Sequence, residues 1–388
     1  MTLSLEYQRI SAEAILDALA QDEEIRLSHC IIEGDLDLNR WFGDNRPSGK
    51  TCQVARPVGD NWIVEFSRPI AILNCTMEGH VFFAGPWDSP EAVNVIFFKP
   101  VQFNSTVFRG QARFCRAQFQ ASVSFDGCTF ERVCCLRETV WQSSAMIRTA
   151  SLEGYVLLQK AVFEKEVRLT NTSFGKGVNF AQVRFGDKAD FSGVHSRSKA
   201  VPQYEGVWFA RQRVGEDETF WRFIKQAAQE AGDYQEAGEN FYRERCGHFR
   251  QRLRGSDYDS LPAGRRILRL SLGSRLLPEF LFGRLLFGYG ERPWRILIAA
   301  MLIVLGCATY YVSPWAKISS PATVVSYSPA WFDGLYLSVM TFTTVGYGDF
   351  HPDPSSILTR LVAMAEAMSG MVLTAMFVVA MAKRYSRG

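Results

Sequence analysis

The sequence predicts a multidomain membrane protein: an N-terminal β-solenoid, a helical hairpin, and an all-α membrane domain with two spans. Three observations carry that expectation. From about residue 25 to 200, large apolar side chains recur at gaps alternating between five and six, a self-repeat of 11 residues. Beyond about residue 292 the chain turns strongly apolar, although the mean hydropathy of all 388 residues is −0.06. Inside that apolar part, Thr343-Thr344-Val345-Gly346-Tyr347-Gly348-Asp349 places glycine at alternate positions, where the backbone is free to take dihedrals denied to other residues.

Composition narrows the field before any motif is read. With 43 Lys/Arg against 40 Asp/Glu the net charge is +3, too small to imply binding of nucleic acid or another polyanion by the whole chain. Residues 1–20 include Glu6, Arg9, Glu13 and Asp17, so no uninterrupted apolar core marks a signal peptide, and the bulk of the protein is expected in the cytoplasm. Nine cysteines without paired spacing agree with a reducing compartment, and disulfides are not expected.

At the N-terminus, Tyr7, Ile10, Ala14, Ile15, Ala18 and Leu19 fall at helical spacing, so an amphipathic helix over about 7–22, within a cap at 1–24, is expected. The longer period first shows at Leu27, Ile32 and Leu38, returns at Ile72, Met77 and Phe83, and runs unbroken from Phe103 to Phe191. A small or branched residue such as Ala112, Ala117, Val123 or Val167 stands two positions before its large partner. A helix would need recurrence near 3.6. The pattern resembles pentapeptide-repeat proteins. That resemblance implies a right-handed, four-sided β-solenoid over 25–200, with both residues of each pair pointing inward, although the alternation of five and six departs from a strict five. Loops at 40–68 and 84–94, rich in Gly, Pro, Asn and Asp, interrupt the early repeats and are candidates for accessory contacts. Cys30, Cys75, Cys128 and Cys134 take small inward positions, and Cys128, Cys134 and Cys135 lack a CxxC spacing, so core packing is expected of them rather than metal or redox chemistry. Lys99 to Ser198 holds 14 Lys/Arg and 8 Asp/Glu, a basic balance that argues against the acidic DNA mimicry of some pentapeptide-repeat proteins.

Past Ser196 the repeat dissolves. Residues 216–254 read as a helical hairpin, with Phe220, Ile224, Ala227, Ala228 and Ala231 on one stripe, Gly232 as the C-cap, and Tyr234, Ala237, Phe241, Arg245 and Phe249 on the second arm. Residues 255–292 form a linker and a basic amphipathic stretch; from Arg265 to Arg295 the arginines are expected to face anionic lipid headgroups. Arg266 and Arg269 have the three-residue spacing of a voltage-sensing helix but no further arginine continues it, so voltage sensing is not expected.

Residues 293–388 hold the membrane part. Ile296 to Val312 is free of charge, flanked by Trp294, Tyr310, Tyr311 and Trp315 at interfacial positions, and gives a first span at 294–313. A second, at 357–383, contains the single acid Glu366. Arginines before the first span and Lys383, Arg384 and Arg387 after the second place both termini in the cytoplasm. Residues 329–342 are too few to cross and fit a re-entrant helix starting at Ser328 or Pro329, followed by the glycine-alternating run 343–349.

This order of span, short helix, Thr-Val-Gly-Tyr-Gly-Asp and span resembles the pore of two-transmembrane potassium channels, in which rings of carbonyl oxygen replace the ion's water. The resemblance covers about 293–385 and implies a homotetramer, since two spans cannot enclose a pore. It implies potassium coordination by the Thr344, Val345, Gly346 and Tyr347 carbonyls and the Thr344 hydroxyl, within a filter that ends at Gly348. Tyr336, Met340, Thr343 and Asp349 would support that filter; Tyr336 stands where the family often has an aromatic bonded to the filter aspartate, and Met340 replaces the glutamate of some members. Gly370 aligns with the gating hinge, though a glycine in a span serves close helix packing equally well. Met371, Thr374 and Val378 would face the cavity, with Ala382 near the inner gate. An acid within a span is costly and faces protein or water, so Glu366 is expected to brace the base of the pore helix, through Thr341 or Ser338, or to tune the local ion concentration. His351 lies at the outer mouth, where four positive charges on external acidification would oppose cation entry.

The leading expectation is a potassium channel in the cell membrane, not gated by a voltage sensor, with a cytoplasmic solenoid that assembles or regulates it, in response to an unidentified cytoplasmic ligand or protein if there is one. The alternative makes the solenoid a protein- or membrane-binding scaffold with the pore secondary. No enzyme is expected: the chain has five histidines, no phosphate loop and no nucleophile–base pairing. No cofactor is expected beyond potassium as the permeant ion.

Overall fold

The computed structural model describes residues 2–42, 52–58, 61–85, 93–255, 258–319 and 330–385. It divides into two compact units, Met1–Ile267 and Leu268–Gly388. Much of the loops expected at 40–68 and 84–94 lies outside the described residues, as does the helix start expected at Ser328 or Pro329.

The first unit opens with strands, which corrects the expected helix over 7–22. Strand β1 (Thr2–Glu6) pairs in parallel with β3 (Glu24–Ser28), and β2 (Arg9–Ser11) with β4 (Ile31–Glu33). Thr2–Glu6 alternates polar and apolar residues, the period of a strand. Helix α1 is confined to Ala12–Ala20, beginning where the Ser11 hydroxyl accepts the Ala14 N–H at 3.3 Å.

From Glu24 onward, short strands visit four parallel sheets in rotation. Between Val101 and Ser196 each inward position pairs with the one 22 residues further on, so two 11-residue repeats make one complete circuit there: Val101 with Val123, Phe108 with Phe130, Ala112 with Cys134, Phe119 with Trp141. Earlier circuits are longer, as Ile25 with Ile70 and Ile70 with Val101. Every large and small repeat residue singled out in the sequence is buried. The rings stack in columns, as Phe108 on Phe130 at 4.4 Å and Phe103 on Phe125 at 5.4 Å.

The backbone explains why five alternates with six. Ser105, Arg116, Gly127, Glu138, Thr149, Lys160, Asn171, Gln182 and Gly193 all have positive φ, one per 11-residue repeat. Each sits in a five-residue gap, two positions after a large residue, in a tight turn; Ala117 N–H bonds Phe114 O at 3.0 Å and Ala161 N–H bonds Leu158 O at 2.9 Å. From Phe103 onward the six-residue gaps turn with one more residue and no left-handed one, whereas Gly34 is left-handed in the early gap between Ile32 and Leu38. Two kinds of corner thus alternate.

Helix α2 (Glu218–Ala231) covers the end of the apolar column with Phe220, Phe223 and Ile224; Phe220 meets Phe191 at 5.1 Å and Phe223 meets Phe174 at 5.7 Å. Gly232 ends it in the left-handed conformation, φ 80°, and α3 (Tyr234–Arg254) packs back along it. Tyr234, placed on the apolar stripe by its spacing, is exposed. Buried Asp217 joins the arms by accepting from Trp221 Nε1 at 2.9 Å and Arg250 at 2.8 Å.

The cysteines need one correction. Cys30, Cys75, Cys128 and Cys134 are buried thiols, and desolvation pushes Cys128 and Cys134 up to about 12. Cys115 and Cys135, however, form a disulfide. Their separation of 20 is nearly one circuit, which brings them side by side on successive turns with Cα atoms 5.9 Å apart, a neighbourhood no local motif displays.

Helix α4 (Ala263–Leu272) follows α3 along the chain. In the second unit, α5 (Trp294–Val312) and α7 (Ile357–Tyr385) are long and apolar enough to cross a membrane. At 19 and 29 residues they reach roughly 29 and 44 Å. Between them α6 (Trp331–Phe342) has 12 residues, roughly 18 Å, and cannot cross.

Candidate ion-conducting site

Helix α6 is seated by close approaches to both long helices. A Cβ on Gly334 would meet Ala308 O of α5 at 2.7 Å, and one on Gly370 of α7 would meet Phe342 O at 2.0 Å. Only glycine fits either place. At its start, the Asp333 carboxylate accepts the Ala330 N–H at 2.9 Å, with Ala330 at the cap position. At its end the chain stays tied to the last turn: Thr343, Thr344 and Val345 N–H bond the carbonyls of Val339, Thr341 and Met340 at 3.0, 3.1 and 3.1 Å. The position of α6 therefore sets where the following loop begins.

That loop alternates in backbone hand. Thr344, Gly346 and Gly348 have φ of 58, 52 and 80°, whereas Val345 and Tyr347 between them are not left-handed. Alternation of hand turns successive carbonyls toward one side, where an extended strand points them to opposite sides. A Cβ on Gly346 or Gly348 would meet nothing within 4 Å, so glycine is needed there for its dihedral and not for space. Thr344 is β-branched and left-handed, a conformation costing roughly 1–2 kcal/mol, and its hydroxyl donates to Thr343 O at 2.7 Å. Residues 343–349 are exposed in the single chain, Tyr347 included.

The Tyr336 ring meets Phe350 edge-on at 6.1 Å, and Asp349 Oδ1 accepts the Phe350 N–H at 3.0 Å. Beyond the loop, Ile318–Ser319 pairs antiparallel with His351–Pro352, of which His351 is exposed. Asp353 accepts from Ser319 Oγ at 2.9 Å and donates its N–H to Lys317 O at 2.9 Å. Hydrogen bonds from Ser355, then from Ser319, lower its carboxyl to about 2.

Glu366 is buried between the three helices. Tyr311 of α5 donates to its Oε2 at 2.7 Å, and Ser338 of α6 donates to its Oε1. Of the two expected partners, Ser338 is in direct contact with Glu366. Tyr311, assigned to the membrane interface by its place near the span end, is fully buried, whereas Trp294 and Trp315 are exposed. Its part as an acid's partner was not read from the sequence; tyrosine within reach of the opposite span's only acid was the available signal.

Met371, Thr374, Val378 and Ala382 are exposed on α7, while Leu373 and Ala380 are buried. At the end of α7, Lys383 Nζ pairs with Glu291 at 3.1 Å and donates to Tyr289 O at 3.0 Å, a contact with no local signal in sequence.

No curated protein and no solved structure matches the chain. A family model described as an ion channel matches residues 297–387, the stretch that holds α6 and both apolar helices, and this part of the chain is an ion-channel pore domain.

Proposed function

We propose that the chain forms a potassium-selective channel, a homotetramer of multi-pass subunits in the cell membrane with both termini cytoplasmic. The observation that carries this reading is the alternating hand at Thr344, Gly346 and Gly348, directly after a helix too short to cross and between two that cross. Four copies around an axis would stack the carbonyls of Thr344, Val345, Gly346 and Tyr347 into rings that replace the hydration shell of potassium, with the Thr344 hydroxyl below and Gly348 above. Tyr336 and Asp349 support this loop from the side, and exposed Met371, Thr374, Val378 and Ala382 line the cavity and inner gate in the assembly. The four rotating sheets of the first unit close into a right-handed solenoid that regulates opening, and arginines between Arg265 and Arg295 rest on anionic headgroups.

Purified protein in liposomes should pass potassium in preference to sodium. Gly346→Ala adds a Cβ to open space but forces it onto a left-handed residue at roughly 1–2 kcal/mol per subunit, so selective flux should disappear. Equal potassium and sodium flux in the native protein would overturn the reading. Deleting residues 1–210 should change open probability; unchanged gating would remove the regulatory role of the first unit.

A further inference from the structure

We infer that Glu366 is a positioning residue of the ion filter, holding α6 at a set height between α5 and α7 through two hydroxyls; this rests on the potassium-channel reading above. The argument starts from cost. Glu366 lies 2 % exposed in the middle of a spanning helix, where a carboxyl group is expensive. An apolar side chain would fill the same place without desolvating an acid. What the carboxyl group adds is direction, because each of its oxygens is engaged by a hydroxyl from a different helix.

Tyr311 of α5 donates to Oε2 and Ser338 of α6 to Oε1, while Ser338 Oγ also lies 2.9 Å from Val304 O of α5. One carboxyl group thus ties α6, at Ser338, to α5, at Tyr311. The turn of α6 that follows Ser338 carries the filter, since the N–H groups of Thr343, Thr344 and Val345 bond the carbonyls of Val339, Thr341 and Met340. A shift of α6 along its axis would therefore move the first filter residues with it. Gly334 and Gly370 let the helices approach but carry no polar group to register one against another; the Glu366 network supplies that register.

The test compares potassium and sodium permeability of the full-length protein in liposomes, beside the thermal stability of the detergent-solubilised assembly. Glu366→Leu leaves the buried Tyr311 hydroxyl without its acceptor, while Ser338 keeps only Val304 O, and the permeability ratio should fall by about tenfold, the factor attached to one unsatisfied buried group. Glu366→Gln keeps an acceptor and adds a donor that Ser338 Oγ is free to accept, so it should restore most of the ratio. Tyr311→Phe and Ser338→Ala should each lower the ratio, and neither should add its full effect to Glu366→Leu. A stable Glu366→Leu assembly with the native ratio overturns the inference. Should Glu366→Leu fail to assemble, Tyr311→Phe and Ser338→Ala decide, and an unchanged ratio in both overturns it. Loss of selectivity in the native protein would instead bring down the channel reading, and this inference with it.

Discussion

Replacing Gly370 by alanine separates two roles that the sequence leaves equal, a gating hinge and a packing contact. The added Cβ would sit 2.0 Å from Phe342 O and 2.9 Å from its carbonyl carbon, both backbone atoms at the end of α6. Ordinary contact requires more than an ångström of retreat, and no flexible side chain is there to give way. Alanine gains about 1 kcal/mol over glycine in a helix interior. Overpacking into a seated backbone costs about 1–3 kcal/mol, so the net effect should be a loss of up to about 2 kcal/mol per subunit, repeated in each subunit of the assembly. The displaced carbonyl belongs to the residue before Thr343, so potassium selectivity should fall together with stability. Thermal dissociation of the purified assembly and the permeability ratio in liposomes read both quantities. A hinge alone predicts the opposite pattern: a stiffer helix, lower open probability, and intact stability and selectivity. A Gly370→Ala assembly as stable and as selective as the native one would refute the packing argument.

Other consequences are as direct. Thr149 is β-branched at φ 52°, so Thr149→Gly should stabilise the first unit by about 1 kcal/mol in denaturant melts; a loss of stability would refute the corner assignment. Phe125→Ala removes a ring stacked on Phe103 and should cost about 3–5 kcal/mol, seen as earlier proteolysis of residues 1–267. Alkylation of the unfolded, unreduced chain should label the seven free cysteines, rising to all nine after reduction; nine labels before reduction would exclude the Cys115–Cys135 bond. Asp353 has a depressed carboxyl, so its contribution is fully present above the unfolded value of about 4 and is lost as pH falls toward about 2. Hydrogen exchange at the Ser355 amide should quicken across that window in the native protein and much less in Asp353→Asn.

Some of this was legible in residues alone because it depends on periodicity. Large side chains at Phe103, Phe108, Phe114 and onward are buried for the reason their spacing suggests: a side chain facing one axis must recur once per side. The helical break at Gly232 and the apolar lengths of α5 and α7 are likewise local properties. The first strand was not legible, since Thr2–Glu6 is too short to announce its period and acquires its ladder only from residues 24–28. Nor was the alternation of corners, because Arg116, Glu138 and Lys160 carry no mark of left-handed backbone; the 11-residue interval between them is the sign that was available.

The sequence by itself determined the repeat, the order of span, short helix, glycine-alternating loop and span, and the presence of one acid inside the second span. Each is a property of neighbours along the chain. Tertiary structure alone decided which groups meet across it: Cys115 with Cys135 one circuit apart, Gly370 against Phe342, and Glu366 with Tyr311 and Ser338, 55 and 28 positions away. Such pairings are set by how the helices and turns pack, and packing distances are not written in spacing.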